Sequence, residues 1–236
     1  MTGPIRPWAA WLVGALAVGV LAGCSGLNGA ATDTAPAPTE SPASLSAVEE
    51  VPLPSGRYVT DGAFEPRVVL SVPEGWSPND YNAGRVSLLK AGDDVNNAFV
   101  TFYLVSAVYT DPCDGGLPIA PPETAEALVD LLRSQPGFEV GALSEGTIDG
   151  RPAWTWEVTP TVDVSICATD PWLYQFQYPA TPASPVDGGT IAGAVQRFTV
   201  VDLGGTLLLA EVGTFEWTTE ADTIEANEMV DSATFE

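Results

Sequence analysis

The chain has 236 residues, with 31 Asp and Glu against 8 Lys and Arg, a formal net charge of −23 and no His. So few scattered cations build no patch for nucleic-acid phosphates, which excludes nucleic acid as a partner, and they disfavour docking on anionic lipid headgroups. Without His, the Ser-His-Asp and Cys-His nucleophile systems, His-containing zinc sites and the usual general base near neutral pH all fall away.

In chain order, the first stretch reads as an export signal. Arg6 is the only charge before Cys24, and Trp8 to Ala22 is an apolar or Gly run of 15 residues. That is the charged-then-apolar layout of a secretory leader, and it falls short of the ~20 residues a membrane span needs. Leu21-Ala22-Gly23-Cys24 resembles a bacterial lipobox, in which lipid is attached to the Cys thiol and cleavage falls just before it. The expectation is a lipoprotein signal peptide over 1–23 and a lipid anchor, such as palmitate, on Cys24, holding the chain on the outer side of the cytoplasmic membrane. A diacylglyceryl group supplies two acyl chains, each buried CH₂ contributing about 0.8 kcal/mol. The alternatives are an ordinary secretory signal or an uncleaved anchor, with Cys24 incidental.

Residues 24–54 read as the lipidated Cys and a disordered Ala/Pro/Ser/Thr linker, which has too little apolar surface to order itself. A single extracytoplasmic globular domain is expected over 55–236. Arg67 to Val72 and Val86 to Leu89 read as strands, the first stopped by Pro73-Glu74-Gly75-Trp76. Phe99 to Tyr109 reads as one long strand with apolar residues on both faces, hence covered on both sides. A helix follows over Thr124 to Ser134, capped by Thr124, with Leu128, Leu131 and Leu132 on one face. Asp149-Gly150 signals a hairpin leading into Ala153 to Val158. Val162 to Ile166 reads as a strand, Trp172 to Tyr178 as another, and Pro179 to Gly189 as a loop. Arg197 to Val201 and Thr206 to Val212 form a second hairpin, and a last helix runs from Glu220 to Ser232.

Short turns dominate over crossovers, so the sheet is mainly antiparallel. The expected fold class is α+β, with two packed helices on the sheet. A β-sandwich with peripheral helices is the alternative.

Cys113 and Cys167 remain once Cys24 is acylated. An even pair on the oxidising side of a membrane is most simply a disulfide, which closes a long loop worth about 4 kcal/mol in the chain-entropy model. Free or metal-binding thiols are the alternative reading.

The order of short motifs carries a resemblance. Val72 to Trp76 (VPEGW), Tyr109 to Cys113 (YTDPC), Gln135 to Gly137 (QPG), Thr147 to Ala153 (TIDGRPA), a second Cys, and Val230 to Phe235 (VDSATF) together resemble an actinobacterial extracytoplasmic lipoprotein domain. Some related lipoproteins have a PsbP-like α/β/α fold, so the resemblance implies that fold over about residues 65–236. It also supports the Cys113–Cys167 pairing. It implies no catalytic residues and no cofactor.

Candidate sites are few. Trp154, Trp156, Trp172 and Tyr174, with Tyr178 nearby, form an aromatic set that is either a sheet face packed under a helix or a platform for sugar rings. The loop Asp93-Asp94-Val95-Asn96-Asn97 is oxygen-rich, but it lacks the glycine and distal Glu of an EF-hand. The acidic run Glu216, Glu220, Asp222, Glu225, Glu228 and Asp231 reads as a solvated helix face. The functional expectation is a non-enzymatic, membrane-anchored module that binds a cell-envelope protein or glycan. The alternatives are a carrier of an apolar ligand and a His-independent hydrolase that uses a carboxylate pair on cell-wall glycan.

Overall fold

The computed structural model describes residues 41–45, 51–60, 64–91, 96–169, 172–181 and 184–236. The leader, Cys24 and the Asp93-Asp94-Val95 part of the oxygen-rich loop lie outside them. Strands β1 (Ala43–Ser44), β2 (Gly56–Val59) and β3 (Val68–Val72) come first, then β4 (Trp76–Asn82), β5 (Arg85–Ala91) and β6 (Asn96–Leu104). The short β7 (Ala107–Val108) precedes helix α1 (Ala125–Arg133), followed by β8 (Phe138–Val140), β9 (Ser144–Ile148) and β10 (Arg151–Pro160). A 3-10 turn at Val164–Ile166 leads to β11 (Trp172–Thr181) and β12 (Ser184–Ile191). The chain ends with β13 (Val195–Asp202), β14 (Leu207–Thr214), helix α2 (Glu220–Asp231) and β15 (Thr234–Phe235).

The centre is an antiparallel sheet in the order β4-β5-β6-β14-β13-β10-β8, with β9 also paired to β10. Period-2 alternation sends successive side chains to opposite faces. On one face Leu88, Val100, Phe102, Leu208, Ala210 and Val212 pack with α2 and with the small sheet β1-β2-β3-β15. On the other face Tyr103, Trp156, Phe198, Val200 and Leu209 pack with α1 and with the sheet β12-β11-β7. The fold is therefore α+β, and the two helices cover opposite faces of one sheet. That removes the β-sandwich alternative, because each helix seals a core.

Both helices start where side-chain oxygens satisfy free N–H groups. Thr124 Oγ1 accepts from the Ala127 N–H at 3.3 Å, and Thr219 Oγ1 from the Asp222 N–H at 3.1 Å. Asp149 and Gly150 take positive φ (50° and 70°), as a tight primed hairpin turn requires.

Several expectations give way. The folded part begins before Ser55, because Ala43–Ser44 pairs in parallel with β2, and Leu45 and Leu53 are each 2 % exposed in the core. β4 forms in spite of Pro78 because it is an edge strand, where a missing N–H donor is tolerated. The long strand expected to reach Tyr109 breaks after Leu104, opposite the first residues of β14. Beyond it, Ser106 N–H donates to the Gln177 carbonyl (2.8 Å) and Tyr109 N–H to that of Gln175 (3.0 Å), so the chain changes sheets. Val164–Ile166 is a 3-10 turn because the Asp163 carboxylate accepts from both the N–H and hydroxyl of Ser165. The expected loop at 179–189 is largely the β11–β12 hairpin, with Pro179 set opposite Pro185 where neither can donate.

Candidate functional site: a cleft under the β11–β12 hairpin

The β11–β12 hairpin lies over one corner of the central sheet, above β5, β6 and β14. Its aromatic residues do not simply alternate. A register shift between Tyr174 and Phe176 re-aims the strand, so Trp172 and Tyr174 line a cleft while Phe176 packs inward, and Tyr178 stands between that core and the cleft wall. Gly188 and Gly189 permit this closeness. A Cβ on Gly188 would strike the Phe176 ring, and one on Gly189 the Leu173 carbonyl. The hairpin is tied at its start by the Cys113–Cys167 disulfide, which joins the segment before α1 to the turn before β11. Thr169 Oγ1 and the Tyr174 N–H both donate to the Pro112 carbonyl (3.1 Å each), which seats β11 on that segment.

The cleft has two chambers of about 250 Å³ each. They share Arg85, Tyr103, Trp172 and Gly189. The outer chamber adds Tyr174, Tyr178 and Asp187. The inner one adds Ser87, Leu89, Phe99, Phe215 and Glu211.

The floor is polar in a way the rest of the sheet is not. Glu211, in the middle of β14, is 1 % exposed. Its Oε1 accepts from the Gln196 amide, whose own oxygen accepts from the Thr190 hydroxyl. Thr190 Oγ1 also lies 2.7 Å from Gln175 Oε1, while the Gln175 amide nitrogen has no partner. One hydroxyl proton serves one acceptor. Turning the Gln175 amide over gives a chain of donors from Gln175 through Thr190 and Gln196 to Glu211. Glu211 Oε2 is buried with no hydrogen-bond partner. Burial pushes the Glu211 carboxyl up to about 7, against the opposing pull of the Tyr103 hydroxyl, the Arg85 charge and the Gln196 amide. The Tyr103 hydroxyl is itself raised well above its ordinary range, by burial first and then by the Glu211 charge.

Arg85 is the cleft's cation. Its Nη1 donates to Asp80 Oδ2 at 3.0 Å and to the Tyr178 hydroxyl at 3.4 Å, and its guanidinium lies over the Tyr103 and Tyr178 rings (5.7 and 5.8 Å). Arg85 Nε is buried without a partner. In the outer chamber Asp187 Oδ1 accepts from the Tyr109 hydroxyl (2.6 Å) and the Gln177 amide (2.9 Å). Burial, then the Asp187 hydrogen bond and charge, push Tyr109 up to about 12.

The structure divides the aromatic set expected from sequence. Trp156 is 1 % exposed and stacks edge-on against Phe198 beneath α1, with the Arg133 guanidinium 6.0 Å from its ring centre. Trp154 is half-buried against the same core. These two are packing residues. Trp172, 41 % exposed, and Tyr174 come together at the cleft.

The acidic run on α2 is also more than a solvated face. Glu225 accepts from Lys90 (2.8 Å) and from the Trp76 indole (3.0 Å), and Asp231 from Arg197 (2.7 Å). Asp111 closes a turn by accepting from the backbone of Cys113 and Asp114. Among the described residues, no three His, Cys, Asp or Glu converge as a metal-holding group, and no helix is long and apolar enough to cross a membrane.

Neither Glu211 nor Arg85 is singled out by the sequence. The signal for Glu211 was present, since it interrupts Leu207-Leu208-Leu209-Ala210 and Val212 in a strand covered on both faces. Nothing local marks Arg85, whose burial depends on a hairpin more than 80 residues away.

No family model matches this sequence, and no curated protein matches it closely. Among solved structures it is similar to cyanobacterial PsbP (CyanoP) from Synechocystis sp. PCC 6803, with 12 % identity over 81 % of this chain and 96 % of that one, TM-score 0.41. It is similar to the Saccharomyces cerevisiae Ran-binding protein Mog1p, with 14 % identity over 77 % and 96 %, TM-score 0.39. A third is LpqN of Mycobacterium tuberculosis, involved in cell envelope biogenesis, with 13 % identity over 79 % and 90 %, TM-score 0.35. The chain also spans 45 % of a Bacteroides thetaiotaomicron protein at 7 % identity. Likenesses this distant leave the chain's own residues to decide its function.

Proposed function

We propose that this protein is a non-enzymatic binding module of the cell envelope, anchored through a lipid on Cys24 at the outer side of the cytoplasmic membrane. It takes its ligand, an envelope glycan or protein, in the cleft under the β11–β12 hairpin. The observation that carries the reading is the cleft itself. A few convergent polar groups lie at its base, and aromatic rings stand at its mouth, with Trp172 41 % exposed. The N-terminal sequence supports the address, and the paired cysteines agree with an oxidising compartment. The paired segment Ala43–Ser44 lies within the stretch that the sequence alone assigns to the linker.

Crosslinking in cells, with Trp172 and Tyr174 replaced in turn by a photoreactive residue, tests the cleft. Specific capture of an envelope component at these positions, and not at the exposed Ile224 on α2, is the expected result. Equal capture at all three sites removes the cleft from the proposal. For the anchor, Cys24→Ala should release the processed protein from membranes.

A second reading, the His-independent hydrolase, draws on Glu211. A buried carboxyl raised to about 7 in a cleft suits a general acid. Release of new reducing ends from cell-wall glycan, lost in Glu211→Gln, would favour it over simple binding. The charged floor of the cleft speaks against a carrier of apolar ligands, since Arg85 and Glu211 would be left uncompensated.

A further inference from the structure

Four buried side chains run end to end from the cleft floor into its roof. Glu211 on β14 and Gln196 on β13 belong to the central sheet; Thr190 on β12 and Gln175 on β11 belong to the hairpin. None is more than 1 % exposed. Hydrogen bonds link them in that order: Glu211 Oε1 with the Gln196 amide, Gln196 with Thr190 Oγ1, and Thr190 Oγ1 with the Gln175 amide at 2.7 Å. The run crosses from sheet to hairpin at the Thr190–Gln196 bond.

Thr190 has one hydroxyl proton, and the amide oxygens of Gln175 and Gln196 both stand ready to accept it. This conflict has two resolutions, and neither changes the outline of any side chain. If Gln175 turns its amide over, Gln175 donates to Thr190, Thr190 to Gln196, and Gln196 to Glu211. If Gln196 turns over instead, all three bonds reverse. Gln196 then donates to Thr190 and Thr190 to Gln175, while the Gln196 oxygen needs a donor from Glu211. Only a protonated carboxyl supplies one. Each direction keeps three hydrogen bonds, and the two differ by one proton taken from water.

A neutral Glu211 belongs with the second direction. Its Oε2 has no partner that could accept a proton, whereas Oε1 faces Gln196. A buried hydroxyl without an acceptor is destabilising, so the proton sits on Oε1 and Gln196 turns to receive it.

The other groups around Glu211 do not carry out this exchange. Tyr103 on β6 keeps its proton, its hydroxyl being raised well above the ordinary range, and Arg85 on β5 keeps its charge. Ser87 and Thr101 bond to each other at 2.9 Å. Farther out, Asp80 on β4 and Tyr178 on β11 meet Arg85, and Asp187 on β12 is held by Tyr109 and Gln177. Arg197 on β13 turns the other way, to α2.

We propose that Glu211, Gln196, Thr190 and Gln175 form a reversible relay, in which the proton on Glu211 sets the direction of all three hydrogen bonds and so carries a change of charge at the cleft floor to Gln175 inside the hairpin. The backbone stays where it is, because the Gln175 carbonyl is held by the Tyr109 N–H (3.0 Å) and by Gln135 Nε2 (2.8 Å). The relay operates whatever the cleft binds, and burial, by pushing the Glu211 carboxyl up to about 7, sets it near neutrality.

The chain holds four glutamines, Gln135, Gln175, Gln177 and Gln196. Selective nitrogen-15 glutamine labelling of the full chain in mild detergent therefore gives four side-chain amides to follow by NMR as pH is raised through neutrality. Gln196 and Gln175 should shift together, with one midpoint near 7. Gln135, whose amide donates to two backbone carbonyls, should stay in place. Glu211→Gln should remove both shifts. Thr190→Val, which takes away the middle hydroxyl and keeps the shape, should leave the Gln196 shift and lose that of Gln175; Thr190→Ser should restore it.

Separate midpoints for Gln196 and Gln175 in the wild type overturn the relay. So does a Gln175 shift that survives Thr190→Val or Glu211→Gln, since it would then belong to Asp80 or Asp187. Near-ultraviolet circular dichroism shows which variants remain folded. If Thr190→Val does not, the wild-type midpoints and Glu211→Gln still decide the matter.

Discussion

The two faces of the central sheet are built from the same strands but closed in different ways. Beneath α2, residues such as Leu88, Val100, Phe102 and Val212 make an apolar contact surface, and the charges that tie the helix down, Lys90 with Glu225 and Arg197 with Asp231, sit at its rim. On the opposite face, α1 seals an equally dry core around Trp156 and Phe198, but only over part of the sheet. The remaining corner is roofed by a hairpin, and there the buried side chains are Ser87, Thr101, Gln196 and Glu211. A helix offers a continuous apolar stripe, whereas a hairpin lying over a sheet leaves a gap that polar groups and a ligand can occupy. Location within one sheet therefore separates what is held for stability from what is available for binding.

Breaking the dry face should have the largest effect. Phe102→Ala, at 1 % exposure, should lose about 4 kcal/mol in urea denaturation; a loss under about 1 kcal/mol would mean that face relaxes freely.

The polar corner should show itself through pH. The Glu211 carboxyl keeps its proton up to about 7 in the folded state, against 4.5 when exposed. The native state binds that proton more tightly, so the contribution is fully present below about pH 4.5 and is lost as pH rises to about 7. Across that window wild-type stability should fall by about 3 kcal/mol relative to Glu211→Gln. Parallel urea titrations at the two ends of the window measure it, and parallel profiles would show that Glu211 ionises as an ordinary surface carboxyl.

A smaller effect belongs to the rim of the dry face. Lys90→Met removes the Glu225 pair and the charge 5.8 Å from the Trp76 ring, at a cost of about 1 kcal/mol. High salt should shrink the difference, and a salt-independent loss would assign it to packing instead. The smallest is Trp172→Ala, which should change stability by less than about 0.5 kcal/mol by thermal denaturation, because the ring serves the cleft mouth. A loss above about 2 kcal/mol would make Trp172 part of the core.

Much of the frame was legible in the residues. The two-faced apolar pattern of β6, the capping Thr124 and the Asp149-Gly150 turn each follow from local chemistry that tertiary context did not overrule. The cleft was far less legible. Trp154, Trp156, Trp172 and Tyr174 look equivalent in sequence, yet the partners that bury two of them lie on α1 and β13, and the shift at Gln175 that turns the others outward depends on pairing with β12. Prolines 179 and 185 argued for a loop where strands form, and Pro78 too lies in a strand. Two of them lie on edge strands, where the missing donor faces no partner, and Pro179 pairs with Pro185 beyond the residues of β11 that bond to β7.

The Cys113–Cys167 bond has a consequence for when the cleft exists. Its two ends hold the loop before α1 against the turn that launches the hairpin, so the roof is latched at its root. A loop of this length is worth about 4 kcal/mol to the folded chain. In a reducing cytoplasm the hairpin would be an unlatched flap over a polar hollow. At the proposed address the thiols join only after export, so the same oxidation that completes the fold also shapes the cleft.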